Sequence, residues 1–111
     1  MDIHITSRKA KIGSSLKEHA HSEIEKFEHL FEHIQRCDVI FSKDGQVPNT
    51  NVAEIVLHTN GHFLTSREQT EDFRKSFDIA AEKVFHQLST YKSKLTSRKK
   101  SKVARTRKEH S

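Results

Sequence analysis

The chain has 111 residues, of which 32% are hydrophobic and 32% charged, and its formal net charge is +5. A chain of this length buries one modest core, which excludes a second domain, and no segment approaches the ~20 apolar residues that a membrane span needs. Cys37 is the only cysteine, which excludes an internal disulfide, and the absence of a visible secretory signal then predicts a cytoplasmic protein in a reducing compartment.

The N-terminal residues predict a short strand followed by an amphipathic helix. Ile3 and Ile5 alternate with polar residues, which is the period of a half-buried strand. A basic connection containing Arg8, Lys9 and Lys11 follows. The helix should begin near residues 13–15, where Ser15 and Glu18 have the spacing of a capping box. Its apolar face is predicted to comprise Leu16, Ala20, Ile24, Phe27, Leu30 or Phe31, and Ile34.

Three further strands are predicted from alternating apolar residues and turn signals. The second strand contains Cys37, Val39 and Phe41, and a loop with the single proline, Pro48, follows it. The third strand is predicted from the alternation of Ala53, Ile55 and Leu57. It ends at Asn60-Gly61, a dipeptide that supplies the two positive φ angles of a type I′ hairpin. Residues 62–67 should therefore return as an antiparallel fourth strand.

The last helix has the longest apolar stripe in the sequence. Thr70 is predicted to cap it, and Glu71 and Asp72 complement the positive end of its dipole. The stripe comprises Phe73, Phe77, Ala80, Ala81, Val84, Leu88, Tyr91 and Leu95. The predicted order is therefore β-α-β-β-β-α, an α+β fold in which two helices pack on one face of a four-stranded, mostly antiparallel sheet.

Charge is segregated along the chain. Residues 1–91 contain 11 Lys or Arg and 14 Asp or Glu, whereas residues 92–111 contain nine cations and one carboxylate. The end of the chain has no apolar period, so we predict a folded domain over 1–95 and a basic, disordered tail over 96–111. A cationic extension of this kind predicts a polyanionic partner, which we expect to be RNA and not DNA.

One flank of the last helix has the chemistry that phosphate and ribose contacts require. At about 100° per residue, its polar side chains fall together and include no carboxylate. A solvated flank whose lysines only confer solubility is the alternative interpretation. The residues of this flank are Lys83, His86, Gln87, Thr90 and Lys94.

Aromatic residues predict the mode of RNA recognition. All seven phenylalanines lie in predicted elements, most of them at core-facing positions, and tryptophan is absent. A stacking platform for single strands is therefore not expected. We predict recognition of folded RNA through its shape and backbone charge.

Neither catalysis nor metal binding is indicated. His29 and His33 have i, i+4 spacing, but the H-E-x-x-H order and a third clustered ligand are missing. Cys37 lies in the alternation of a strand, as a small buried hydrophobe would. We predict no catalytic residues, no metal ligands, no cofactor and no enzymatic activity. A small metal-dependent nuclease that uses His29, His33 and a carboxylate remains an alternative hypothesis.

Three segments resemble one known family. The segments IHITSRKAKIGSSLKEHA, VAEIVLHTNGHFL and EDFRKSFDIAAEKVFHQLSTYKSKL look like the family of ribosome hibernation-promoting factors and ribosome-associated inhibitors, also called sigma-54 modulation proteins. The resemblance spans residues 2–95 and corresponds to a short form without a second, dimerising domain. Two departures reduce the charge of the last helix, because His86 stands where family members commonly have Arg, and Ser89 and Thr90 replace a typically basic pair.

The resemblance implies a protein that occupies the messenger and transfer RNA channel of the small ribosomal subunit, silences translation and protects idle ribosomes. Another hibernation factor is a further candidate partner, and a monomer is expected off the ribosome. A generic double-stranded-RNA-binding module is an alternative. We hypothesise that the cationic tail compensates for the reduced charge of the last helix. Combining the resemblance with the charge pattern, the predicted RNA-binding residues are Arg8, Lys9, Lys11, Lys83, His86, Gln87, Thr90, Lys92, Lys94, Arg98, Lys99, Lys100 and Lys102.

Overall fold

A computed structural model describes residues 1–45 and 49–104, the last ten of them as backbone only. The described elements follow the predicted order, with one additional short helix, and form a single four-stranded sheet in the order β1-β2-β3-β4. Strand β1 pairs parallel with β2, and the two remaining pairs are antiparallel. The elements are β1 (Asp2–Arg8), α1 (Ser14–Glu25), α2 (Phe27–Leu30), β2 (Ile34–Lys43), β3 (Asn51–Thr59), β4 (His62–Thr70) and α3 (Phe73–Ala104).

The core lies between the helices and one face of the sheet. The alternation predicted for β2 and β3 is confirmed, because Cys37, Val39, Phe41, Ile55 and Leu57 are all completely buried. Alternate residues of a strand point to opposite faces, so the same alternation leaves the other face of the sheet uncovered by the described helices. The α+β fold with one covered sheet face is thereby confirmed.

Helix α3 packs along the sheet through the stripe that the sequence predicted. Phe77, Ala80, Val84 and Leu88 are completely buried, and the Ser66 hydroxyl fastens the helix to β4 by donating to the Ala80 carbonyl at 2.6 Å. These contacts place one polar flank of α3 beside β4, which is an edge strand of the sheet.

The predicted caps of both helices are wrong. Asp72 is the N-cap of α3, since its Oδ2 accepts a hydrogen bond from the Lys75 amide at 3.0 Å, whereas the Thr70 hydroxyl accepts from the Asp72 amide before the helix begins. Helix α1 has Gly13 as its N-cap and no side-chain cap, so the box expected from Ser15 and Glu18 does not form. Short polar residues near a helix start compete for the cap, and the backbone geometry selects among them.

The first helix is also shorter than its apolar period predicted. Helix α1 ends at Glu25 and a single turn, α2, ends at Leu30. Ile34, which the spacing placed on the helix, is instead the first residue of β2 and is buried opposite Thr59. The apolar spacing continues across the break because both the helices and the strand bury these side chains in one core.

The β3–β4 hairpin has the predicted type I′ character, with positive φ at both turn residues, Asn60 (48°) and Gly61 (77°). A Cβ at Gly61 would have nothing within 4 Å, so a side chain there would be opposed by backbone strain alone.

We expect Gly61→Ala to lower the free energy of unfolding by about 1 kcal/mol, because the left-handed conformation is strained for an L-residue. Urea unfolding measures this loss. Unchanged stability in Gly61→Ala would contradict the turn assignment.

Helix α3 continues past residue 95, where we predicted the domain to end and a disordered tail to begin. Its backbone is helical to Ala104. Residues 96–104 contain neither glycine nor proline, so the helix propagates from its packed part without a new nucleation cost. Residues 105–111 of the predicted tail lie outside the described residues, and the domain division itself remains a prediction. In the described part of the chain, no helix is both long and apolar enough to cross a bilayer.

Candidate RNA-binding surface

The cations that follow β1 gather at one end of the sheet. Arg8 ends β1 and lies opposite Ser42 in the parallel pair, which puts Lys43 of β2 beside it. Lys9 adopts a left-handed conformation, with φ of 56°, in the turn that leads to α1. We call Arg8, Lys9, Lys11, Lys17 and Lys43 the strand-end cluster. Sequence reasoning included three of these residues among the RNA-binding residues and omitted Lys17 and Lys43.

The positive charges of the strand-end cluster are not neutralised by described carboxylates of the protein. Among the described side chains, none of its five members forms an ion pair, and Lys43 makes only a cation-π contact, with Nζ 5.5 Å from the centre of the Phe73 ring. The uncapped N-terminus of α1 adds free amide groups and the positive end of a helix dipole to the same region. An anionic backbone could therefore be bound here without breaking an internal ion pair.

A shallow groove of about 340 Å³ lies next to the strand-end cluster, between the starts of α1 and α3. Lys11, Gly13 and Ser15 line it from one side, and Asp72 and Arg74 line it from the other. Arg74 is a cation that the sequence did not single out. It also donates a hydrogen bond to His19 Nδ1 at 3.1 Å, while His19 Nε2 contacts Asp78 at 2.6 Å, so this polar contact joins α1 to α3.

The predicted flank of α3 runs along the edge of β4, where two of its members are bound internally. The Lys83 ammonium pairs with the carboxylate of Glu68, a residue of β4. The Gln87 amide donates to the Thr65 carbonyl at 2.6 Å. The flank was predicted to include no carboxylate, and this holds for α3 alone. The sheet brings Glu68 to Lys83 across 15 positions of sequence, which helical spacing does not reveal.

Four residues of the flank, including Gln87, surround a groove of about 420 Å³ near the hairpin end of the sheet. His86, Gln87, Thr90 and Lys94 all line it, together with Leu64 and Tyr91. Lys92 lies elsewhere on the helix, where its ammonium donates to the Leu30 carbonyl at 2.7 Å. The structure therefore brings four of the predicted residues together and directs Lys92 toward α2.

The strand-end cluster and the groove lie toward opposite ends of β4. Lys43 pairs with Asn51 and Asn51 with Thr70, so the strand-end cluster lies where β4 ends and α3 begins. The groove lies at the start of β4, where the Tyr91 ring is 5.6 Å from that of His62. Leu64 of the groove and Thr70 at the other end of β4 are six residues apart, which separates these regions by about 20 Å at ~3.3 Å per residue. The side chains of Arg98, Lys99, Lys100 and Lys102 lie outside the description, although their backbone continues α3.

Most of the phenylalanines face the core, as the sequence predicted. Five of the seven phenylalanines are buried or pack against the core, but Phe85 is 39% exposed and Phe63 is 65% exposed. Phe63 lies on the open face of the sheet, with its ring centre 4.7 Å from that of His58. Phe63 and Leu64 are adjacent apolar residues, so either could have faced the core, and the alternation alone did not decide between them.

A polar network that the sequence analysis missed lies on the same open face. Arg36 and His58 both bind Asp38, at 3.0 Å in each case. Burial alone would raise the pKa of Asp38, but the hydrogen bonds from Arg36 and His58 outweigh it, so the pKa lies below its usual range. Asp38 therefore stays ionised at neutral pH and compensates Arg36, which leaves this part of the open face without excess positive charge.

The structure does not assemble the alternative metal site. Helix α2 ends at Leu30, so His29 and His33 do not share a helix. Within the part of the chain whose side chains are described, no three His, Cys, Asp or Glu residues are grouped so that they could hold a metal ion. Cys37 is completely buried, and burial raises the pKa of its thiol to about 12. A thiolate nucleophile is therefore disfavoured at this position.

Comparisons with known proteins agree with the resemblance drawn from the sequence. A family model described as "Sigma 54 modulation protein / S30EA ribosomal protein" matches residues 3–96. A ribosome hibernation promoting factor of Shigella flexneri is 25% identical over 95 residues, which is 86% of this chain and 97% of that protein.

Two solved structures share the fold. A ribosomal subunit interface protein from Coxiella burnetii has a TM-score of 0.74 at 20% identity and covers 84% of this chain and 99% of its own. The N-terminal domain of Protein Y from Thermus thermophilus has a TM-score of 0.70 at 16% identity, with 82% and 99% covered. At these identities the likeness concerns the fold alone.

Proposed function

The chain belongs to the family of sigma 54 modulation proteins and S30EA ribosomal proteins, and on this premise we propose that it is a ribosome hibernation factor that binds the small ribosomal subunit. The observation that carries the proposal is the family match over residues 3–96, which includes α1 and every residue of the described sheet except Asp2. The relative named as a ribosome hibernation promoting factor supports it. Bound in the channel for messenger and transfer RNA, the domain would exclude both, silence translation and protect the idle ribosome.

The charge distribution supports a mechanism based on steric exclusion. The strand-end cluster and the groove beside Leu64 are about 20 Å apart along β4, on a domain made rigid by one sheet and a long helix. Two cationic regions at this separation would hold separate segments of folded ribosomal RNA and fix the domain between them. Such a protein needs no cofactor and no catalytic residue. We propose that it acts as a monomer, with another hibernation factor as a further partner.

Co-sedimentation with purified small subunits tests this function. We expect the full chain to be retained at about 100 mM salt and to remain bound when duplex RNA is added in excess, because the match would be to a folded ribosomal surface and not to a generic helix. Release by the duplex competitor would instead identify a general double-stranded-RNA-binding module. A failure to sediment with subunits at any salt concentration would contradict ribosome binding altogether.

The Lys83–Glu68 ion pair makes a specific prediction about affinity. Lys83 must leave Glu68, or share it, to contact a phosphate, and the carboxylate repels that phosphate. We expect Glu68→Gln to strengthen small-subunit binding about two- to fivefold and to steepen the salt dependence by about one phosphate contact, since an exposed pair contributes at most about 1 kcal/mol. Binding titrations at several salt concentrations measure both effects.

The control for this prediction is Glu82→Gln. It makes the same charge change at an exposed position of α3, where Glu82 forms no ion pair among the described side chains. If both variants strengthen binding equally, the effect reflects net charge only. Unchanged affinity in Glu68→Gln would show that Lys83 does not contact RNA.

A further inference from the structure

The groove between β4 and α3 combines an apolar floor with polar walls. Leu64 and Tyr91 both pack against the hydrophobic core and form its floor, and His86, Gln87, Thr90 and Lys94 surround them. The Tyr91 ring contacts two other rings, with its centre 5.7 Å from that of Phe31 and 5.6 Å from that of His62. The volume of about 420 Å³ falls in the range of small-ligand sites, about 300–1,000 Å³.

The polar groups of this groove are unpartnered within the protein. Among the described side chains, His86, Thr90 and Lys94 form no hydrogen bond and no ion pair. Gln87 uses one amide N–H to bind the Thr65 carbonyl at 2.6 Å, which fixes the side chain and leaves its Oε1 free as an acceptor. A hydroxyl, an amide oxygen, an imidazole and an ammonium group are therefore available around one apolar surface.

This combination differs from what contact with an RNA duplex requires. A duplex presents phosphates and ribose hydroxyls on its outer surface, for which cations and donors suffice and an apolar floor has no use. An unpaired nucleotide presents an apolar base face, a hydrogen-bonding base edge and a phosphate together. The helical extension of the chain beyond Lys94 contains further cations at the same end of the domain, which would draw a polyanion to this groove.

We propose that the groove receives one unpaired nucleotide of ribosomal RNA. The base lies on Leu64 and Tyr91, its edge binds the Thr90 hydroxyl and the Gln87 amide, and a flanking phosphate meets Lys94. This inference rests on the proposed function, and it adds recognition of a base to the contacts with shape and backbone charge that the sequence predicted. It requires no exposed aromatic platform, because the floor is an aliphatic side chain and a tyrosine ring that the core holds in place.

Chemical probing of the small subunit with the full chain bound tests this inference. Dimethyl sulfate reports the base edge, and hydroxyl radicals report the ribose backbone. We expect wild-type protein to protect at least one unpaired base from dimethyl sulfate. Thr90→Val, which is nearly isosteric and removes only the hydroxyl, should restore that reactivity and weaken binding about two- to tenfold, as the loss of one hydrogen bond does. Thr90→Phe, which fills the groove, should weaken binding more than tenfold and also abolish the protection.

Thr6→Val is the matched control, since Thr6 is exposed on the opposite face of the sheet and the chemical change is identical. It should leave base protection and affinity unchanged. Wild-type protein could be retained and protect the ribose backbone, yet protect no base whose reactivity returns in a Thr90 variant. That result would overturn the groove proposal while the proposed function stands. An unaltered affinity in Thr90→Phe would overturn it as well. Loss of retention in wild type would refute the ribosomal function, and the groove proposal with it.

Discussion

Replacing Arg8, Lys9 and Lys11 together with glutamine should weaken binding to the small subunit about 100-fold at low salt, if each contributes roughly 1 kcal/mol through a phosphate contact. These residues form no ion pair among the described side chains, so their replacement removes interactions with RNA without breaking interactions within the protein. Glutamine retains much of the length and the hydrogen-bonding capacity of the side chains, and the fold should be unaffected.

The salt dependence gives a second readout of the same variant. In a plot of the logarithm of affinity against the logarithm of salt concentration, each phosphate that the protein neutralises adds about 0.9 to the steepness of the slope. If the variant neutralises three phosphates fewer, its affinity should fall about 40-fold less than that of wild type between 50 and 200 mM salt. Titrations of labelled protein with purified subunits at four salt concentrations measure both quantities.

A matched triple variant controls for net charge. Lys26, Arg67 and Lys75 each form an ion pair within the protein, with Glu23, Asp44 and Glu71 respectively. Their joint replacement with glutamine removes the same formal charge from other parts of the surface. It should weaken binding far less than the triple variant of the strand-end cluster. Equal losses of affinity in the two variants would mean that long-range attraction, and not contact at the end of the sheet, determines the affinity.

The largest expected effect on stability is that of Phe77→Ala. Phe77 is completely buried, and its ring lies 6.1 Å from that of Phe41 and 5.6 Å from that of His19, measured between centres. It therefore connects α3 to both β2 and α1. Removing the ring leaves a cavity in a close-packed core, which costs about 3–5 kcal/mol and should lower the urea midpoint by about 2 M. Because a domain of this size is stable by only about 5–15 kcal/mol, the loss is a large fraction of the total.

Phe63→Ala makes the same chemical change at the exposed phenylalanine of the open face. Phe63 contacts His58 but buries little of its surface, so we expect a loss below about 1 kcal/mol. Urea unfolding followed by circular dichroism compares the two variants directly. Similar losses of stability at Phe77 and Phe63 would show that the helices do not cover the face of the sheet that we describe.

Local patterns predicted the parts of the fold that local chemistry determines. Asn60-Gly61 specified the hairpin because its two residues accept positive φ, and the stripe on α3 specified which helix face packs on the sheet. Patterns were less reliable where an element ends. The apolar spacing continues from α1 through Ile34, and only the pairing of β2 with β3 shows that Ile34 belongs to a strand. The N-cap of α3 is likewise Asp72 and not the predicted Thr70, because several residues there can cap a helix.

The candidate site shows the same division. Helical periodicity grouped His86, Gln87, Thr90 and Lys94 on one flank, and the structure brings them to one groove. It could not reveal Glu68, which reaches Lys83 only through the packing of α3 on β4. Nor could it place Lys43 beside Arg8, because that requires the parallel register of β1 and β2. The assignment of these residues to RNA binding remains a prediction, which the charge variants above address.

The most direct test of the central claim is competition on purified small subunits. Subunits loaded with messenger RNA and a cognate transfer RNA should bind the full chain at least tenfold more weakly than empty subunits, if the domain occupies the same channel. The protein, added first, should in turn prevent the loading of both RNAs. Equal binding to empty and loaded subunits, with both RNAs still able to enter, would contradict steric exclusion as the basis of ribosome hibernation by this protein.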